Sequence, residues 1–345
     1  MRLAQPCATF SFDGRGCSRR QQMEKQMSVM TAATAKWSPA RGQRTLASVV
    51  GAVFLIAAAV LPVAADAPAA YSDWGPPTAV DAANTAAPDG CPIESPNGKQ
   101  LYVASTRPGG YGKNDIWVAE RQNKNAPWGP MTNLGPAINS ADQEFCPTPL
   151  GGGWLLFVSD RQACGATPGQ NPPVGDIYIT RQRHDGTWIA PQNLGCVADG
   201  TGPNFVGGEF GPSLVKTNAG TFLYFSSTGT GTNQDIYRSR LGSDGLFGTP
   251  DPVAELNTAA ADQMPNVLGD GSEIVFASNR GGNMDIWTAT FDDSTGLWST
   301  PVPVAAVNTA EPESRPSFSG DGKRLYFGRG AVSDVYVSTR HELDD

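Results

Sequence analysis

Charge is scarce in this chain: Asp, Glu, Lys and Arg make up 17% of its 345 residues, against about 25% in an average globular domain. Histidine is scarcer still, with only His184 and His341. No Cys-x-x-Cys pair occurs, so the close ligand spacing of a Cys/His zinc site is missing and no metal ligand set is expected. No Gly-x-Ser-x-Gly elbow occurs either, which removes one familiar hydrolase nucleophile. Long stretches free of helix breakers are also wanting. The 40 Gly and 28 Pro occupy one position in five, which excludes a coiled coil or a mostly helical bundle. What is present argues against disorder, because aromatics reach 9% and the net charge is only −8. A turn-rich, aromatic-rich composition predicts an all-β protein of many short strands.

Residues 1–65 differ from the rest. They hold eight basic residues and two acids, and the stretch 46–63 is uncharged, apolar and Ala-rich, with Ala64 and Ala65 after it. This pattern predicts a secretory signal peptide over 1–65, with Met27 or Met30 as the start and Arg41 and Arg44 as the charged flank; the alternative is an uncleaved N-terminal signal anchor. A periplasmic or secreted protein follows, with no membrane insertion after cleavage. Residues 66–345 carry 17 Lys and Arg against 31 Asp and Glu, an excess that disfavours nucleic acid and anionic membranes as partners. Four cysteines remain there: Cys91, Cys146, Cys164 and Cys196. An even count in an oxidising compartment predicts disulfides.

One pattern recurs five times: Asn, an acid five residues on, and Pro three residues after that. The sets are Asn84/Asp89/Pro92, Asn139/Glu144/Pro147, Asn204/Glu209/Pro212, Asn257/Asp262/Pro265 and Asn308/Glu313/Pro316. A turn follows each set, as at Asn97-Gly98 or Asp321-Gly322, then an apolar strand such as Leu155-Leu156-Phe157. A polar loop comes next, holding Arg107, Arg161, Arg280 or Arg329, with Thr228 read as the substitute in the third repeat. Asp-aliphatic-aromatic then opens a third strand, and a fourth begins near Trp128, Trp188, Phe247 or Trp298. Four short antiparallel strands in each of these units make a propeller blade. The last repeat ends without a fourth strand, while the segment Trp74-Gly75-Pro76-Pro77 resembles the fourth-strand segments. The prediction is a five-bladed β-propeller over 71–341, closed by an N-terminal strand that completes the last blade, with 342–345 as a tail.

The run Asn133-Leu134-Gly135-x-x-Ile138-Asn139-Ser140, with Glu144-x-x-Pro147 and a later Asp-Ile-Tyr, resembles the WD40-like PD40 repeat. So do Ser317-Phe318-Ser319-x-Asp321-Gly322-Lys323 and Leu325-Tyr326-Phe327. That repeat builds the TolB-type propellers of bacterial envelopes, and the resemblance covers residues 71–341.

Two readings compete for the equivalent acids Asp89, Glu144, Glu209, Asp262 and Glu313. They form either a carboxylate ring that binds a cation or a basic ligand, supported by Asn84, Asn139, Asn204, Asn257 and Asn308, or a set of structural pairs with the loop arginines. On the second reading Glu209 is the least neutralised. The Asp of each Asp-Ile-aromatic motif is expected to accept local backbone N–H groups. Two insertions break the symmetry, at 162–174 and 196–203. They make Cys164–Cys196 an expected bridge, and together with Glu209 they are the natural place for contacts. A Cys91–Cys146 bridge would require Cα atoms within about 7 Å. The expected function is a monomeric, non-catalytic binding or scaffold module for an envelope protein or peptide, without a cofactor. The alternatives are a glycan-active enzyme using two channel carboxylates, or a lectin.

Overall fold

The computed structural model describes residues 71–161, 164–165, 175–229 and 233–343. The segment read as a signal peptide and most of the 162–174 insertion lie outside the described residues.

The strands form five antiparallel sheets, one per repeat. Blade 1 runs outward from the axis as Asp89–Glu94, Gln100–Ser105, Asp115–Glu120 and Thr132–Asn133. The inner strands of blades 2 to 5 are Glu144–Pro149, Glu209–Thr217, Asp262–Val267 and Glu313–Phe318. Each inner strand contacts the inner strands on both sides, so the ring is closed. Closure is made by the N-terminal strand Thr78–Ala79, which pairs with Asp334–Thr339 in the register Thr78↔Val337 and Ala79↔Tyr336. Among the described residues no helix is long and apolar enough to cross a membrane.

The second strand of each blade is an unbroken apolar run because both of its faces are covered. Tyr102 packs against Leu155 and Phe157 of blade 2, while Leu101 and Val103 pack against Tyr326 and Val335 of blade 5. Phe157, Phe225, Phe276 and Phe327 repeat one position around the ring and are fully buried. Each such side chain contributes about 1.5–3 kcal/mol of burial, so the blade seams are the core.

The outer strands are shorter than the sequence suggests. Trp188 and Phe247 make only isolated bridges, to Gln182 and Leu241. The strand proper is two residues long in each of these blades, Gln192–Asn193 and Asp251–Pro252. Pro191 and Pro250 intervene; proline has no N–H to donate, which confines it to such edges. In blade 4 the same break splits the edge into Leu297–Trp298 and Val302–Pro303.

All five inner strands carry a bulge, and here the fifth-position-plus-three prolines acquire a purpose. The residue before each Pro has left-handed φ: Cys91 48°, Cys146 46°, Gly211 57°, Met264 56° and Arg315 56°. Register breaks at each of these points. An extra residue in the inner strand turns its side chain out of the ladder, here onto the propeller axis. Four of the five are not glycine, so the bend is held against its intrinsic cost by the surrounding ring.

Candidate functional site

The five acids open the five inner strands, and each is fully buried. Four of them are saturated by one recurring network. Asp89 accepts hydrogen bonds from Thr85 N at 2.6 Å and Thr85 Oγ1 at 2.8 Å on one oxygen. Its other oxygen takes Ser105 Oγ and Arg107 Nη2, each at 2.5 Å. Glu144 takes Ser140 N, Ser140 Oγ and Ser159 Oγ at 2.6–2.8 Å, with Arg161 Nη2 at 3.0 Å. Asp262 has Thr258, Ser278 and Arg280 as partners, and Glu313 has Thr309 and Arg329, the latter at 2.9 Å. Each arginine also donates to the carbonyl preceding the repeat Asn, namely Ala83, Ile138, Leu256 or Val307.

The five Asn side chains do a different job from ligand support. Asn139 accepts from Ile116 N at 2.8 Å and donates to Ile116 O at 3.0 Å, so its amide stands in for one more rung of the ladder. Asn204, Asn257 and Asn308 do the same with Ile177, Ile236 and Ile286. Asn84 does it with Val335 across the ring closure.

Glu209 is the exception, as the pairing idea requires, but the register corrects the reason. Ser227 aligns with Ser105, because each is the residue paired with its blade's acid. The place of Arg107 therefore belongs to Gly229, with φ of 51°, and not to Thr228. A second loss compounds the first: Thr85, Ser140, Thr258 and Thr309 follow the repeat Asn in four blades, and Phe205 follows it here. The Phe205 ring lies 4.9 Å from Tyr237 and 6.4 Å from Phe225. Those two aromatics correspond to Tyr178 and Phe157 in blade 2, over which the Arg161 guanidinium stacks. Blade 3 has thus exchanged a guanidinium for a phenyl ring. Glu209 Oε1 keeps Phe205 N at 2.9 Å and Ser227 Oγ at 3.0 Å, while Oε2 is buried with no partner among the described residues. Burial pushes the Glu209 carboxyl well above its ordinary value, and the charge of nearby Asp176 adds to the shift. Asp176 itself is raised to about 6 by burial, against hydrogen bonds from Asn193 and Cys164 N that lower it.

The Asp176 position shows how the motif aspartates work. Asp115 accepts Tyr111 N at 2.5 Å and Gly112 N at 3.0 Å, closing its own loop; Asp176 accepts Cys164 N at 2.9 Å. Cys164 is bridged to Cys196 with Cα atoms 5.7 Å apart. The two symmetry-breaking insertions are therefore clamped together where blade 2 meets blade 3. The 196–203 loop is compact: a 3-10 turn Val197–Asp199 precedes Gly202, where any Cβ would collide with the Leu194 carbonyl. The sulfurs of this bridge and Asp176 lie within 4.8 Å of one another, but bridged sulfurs offer no thiolate to a metal. Val206, next to the clamp, is 57% exposed, and Tyr111 and Val332, on the loops between the second and third strands of blades 1 and 5, are 53% and 45% exposed.

Among the described residues, none of the acids or repeat asparagines lines the axial chamber formed by the bulges. The axis is filled one level below them by the bulge residues, where Cys91 and Cys146 form the second disulfide with Cα atoms 4.8 Å apart. Cys146 Sγ touches Met264 Sδ at 3.6 Å. The chamber left there has a volume of about 30 Å³. At the end of the axis away from the acids it meets a larger apolar funnel of about 310 Å³, built from all five blades. Sequence reasoning placed every contact at the acid end and missed this opening; the five prolines were its only signal.

No family model matches the chain, and no curated protein matches it. Solved structures do. An α-L-arabinofuranosidase from Lactobacillus brevis is similar at 12% identity and TM-score 0.51, over 74% of this chain and 91% of that one. A TolB homologue from Agrobacterium tumefaciens matches at 16% identity and TM-score 0.42, over 75% and 78%. An endo-arabinase from Bacteroides thetaiotaomicron matches at 13% identity and TM-score 0.47, over 79% and 99%. At such identities the likeness is one of fold alone: the chain is a five-bladed β-propeller whose acid ring is a hydrogen-bonded part of its frame.

Proposed function

We propose that the chain is a non-catalytic binding module that presents the clamped loops of blades 2 and 3, with Val206, Tyr111 and Val332, to a protein or peptide of the cell envelope. The observation that carries this reading is the saturation of the acid ring. Glycoside hydrolysis needs two carboxyls roughly 5–9.5 Å apart facing a sugar. Here Asp89, Glu144, Asp262 and Glu313 are fully buried and each is held by an arginine. Glu209 is buried beside a phenyl ring. Asymmetric loops on a scaffold, by contrast, are where contacts are placed, and exposed apolar side chains such as Val206, Tyr111 and Val332 suit a protein surface. Two disulfides support an oxidising compartment, in keeping with a signal peptide and an exported protein.

The test is affinity capture from an envelope fraction with the wild type and with Tyr111→Glu/Val206→Glu. Both positions are exposed, so the variant keeps its fold. The captured partner is expected to be lost with the variant; identical captured sets would sink the assignment.

A further inference from the structure

The central cavity has a second character, independent of the loops at the other end. The 30 Å³ chamber and the 310 Å³ funnel share Ile93, Thr148 and Asn266 as walls, so they form one passage. The funnel walls are apolar, with Leu214, Leu241, Val267 and Phe318 among them. Several polar groups of the chamber and funnel walls are already engaged. Thr148 Oγ1 donates to Pro212 O at 2.5 Å, and Ser317 Oγ donates to Pro92 O at 2.6 Å. Ser213 Oγ accepts from Val267 N, and Asn266 Oδ1 accepts from Phe318 N. Glu94 at the rim is held by Arg121, Arg324 and the Tyr326 hydroxyl.

Lys216 stands exposed at the funnel wall, and one further charged group is left over inside. Arg315 lines the narrow chamber, and its guanidinium lies against Gly90, where any side chain would strike it. It has no hydrogen-bond or ion-pair partner among the described residues. The four ring arginines at the acid end each have a carboxylate; Arg315 has none. Surrounding protein lowers its basicity through burial alone, with no opposing acid. A half-buried guanidinium with free donors, facing a narrow chamber, is a strong receptor for a planar carboxylate. The chamber holds about two waters' worth of space by the usual measure, enough for one carboxylate head. The funnel is at the lower end of the range for small-ligand pockets, roughly 300–1,000 Å³.

We propose that this passage binds a small carboxylate with an apolar body, its head on Arg315 and its chain in the funnel. The site does not depend on the partner proposed for the loops.

The experiment is calorimetric titration of the purified chain with octanoate and with octanamide, and of an Arg315→Met variant with octanoate. Methionine is chosen because Met264 occupies the equivalent bulge of blade 4 at the same φ of 56°, so the variant can fold; its melting curve checks that it does. Octanoate is expected to bind with one-to-one stoichiometry, and both the amide and the variant to weaken binding by about tenfold or more, the loss of one charge-assisted contact. A parallel arm uses a short apolar peptide with a free and with an amidated C-terminus. Tighter binding of the free peptide than of octanoate names a peptide end as the source of the carboxylate, and weaker binding names a free acid. Failure of both acids to bind the wild type, or equal binding to Arg315→Met, would overturn the site.

Discussion

Removal of residues 1–84 is expected to abolish the cooperative unfolding transition, whereas removal of residues 1–65 leaves it intact. The segment lost in the longer deletion is small but closes the ring. It supplies Thr78–Ala79 against Val337 and Tyr336, and Asn84, whose amide exchanges two hydrogen bonds with Val335. It also supplies Val80 and Ala83, buried among Leu101, Tyr326 and Val335. Without it the third strand of blade 5 becomes an open edge with unpaired N–H and C=O groups, which invites aggregation. Every other seam depends on the same circle of inner strands, so the damage is not local. A circular permutant that moves residues 71–84 behind Glu342 restores the strand by another route and should recover the transition. Tyr71 already bridges Glu342 and Ser72 N already donates to His341 O, so the join is short. A permutant that stays unfolded, or a 1–84 deletion that melts normally, would contradict ring closure by this strand.

The second large effect concerns the arginines. Arg280→Ala leaves Asp262 buried without its cation, deprives the Leu256 carbonyl of its donor and removes the stacking over Phe276 and Trp287. Breaking one side of such a pair costs about 3–5 kcal/mol, a fall in melting temperature of roughly 6–15 °C for a domain of this size. Asp262→Asn in the Arg280→Ala background should recover part of that loss, because the stranded charge goes with it. Glu209→Gln is expected to behave in the opposite way. Its carboxyl is raised by burial, so the folded state holds its proton more tightly than the unfolded chain does. The stability this contributes is fully present below the unfolded value of about 4.3 and is lost as pH rises through the raised folded value. Asp176 adds a similar loss between its unfolded value and about 6. Urea midpoints between pH 5 and pH 8 should therefore decline more steeply in the wild type than in Glu209→Gln, and the variant should be at least as stable at pH 8.

The repeat spacing carried most of the architecture, for a definite reason. Each blade must bury both faces of its second strand and satisfy the same exposed ends, so Leu-Tyr-Phe runs, Asn, acid and Pro recur at matched positions. The pairing of acids with loop arginines was legible because both members recur. The position of the blade 3 exception was not. Blade 5 places Arg329 opposite Glu313 itself, two residues earlier than the other arginines, so spacing within the loops shifts and only strand register identifies Gly229. The Asn-Phe pair at Asn204-Phe205, against Asn-Ser or Asn-Thr in the other blades, did carry the signal in plain sight. The channel was hidden for another reason: a Pro preceded by Cys, Gly, Met or Arg looks like an ordinary turn element until the bulge it causes is seen to aim that residue at the axis.

The most direct measurement of the central claim is a melting series of the five amide variants Asp89→Asn, Glu144→Gln, Glu209→Gln, Asp262→Asn and Glu313→Gln, each assayed in parallel on a chromogenic arabinofuranoside. Four variants should melt well below the wild type and Glu209→Gln should not, with no hydrolysis by any form including the wild type. A wild type that cleaves the glycoside, with one acid variant that melts like it and has lost the activity, would contradict a structural ring.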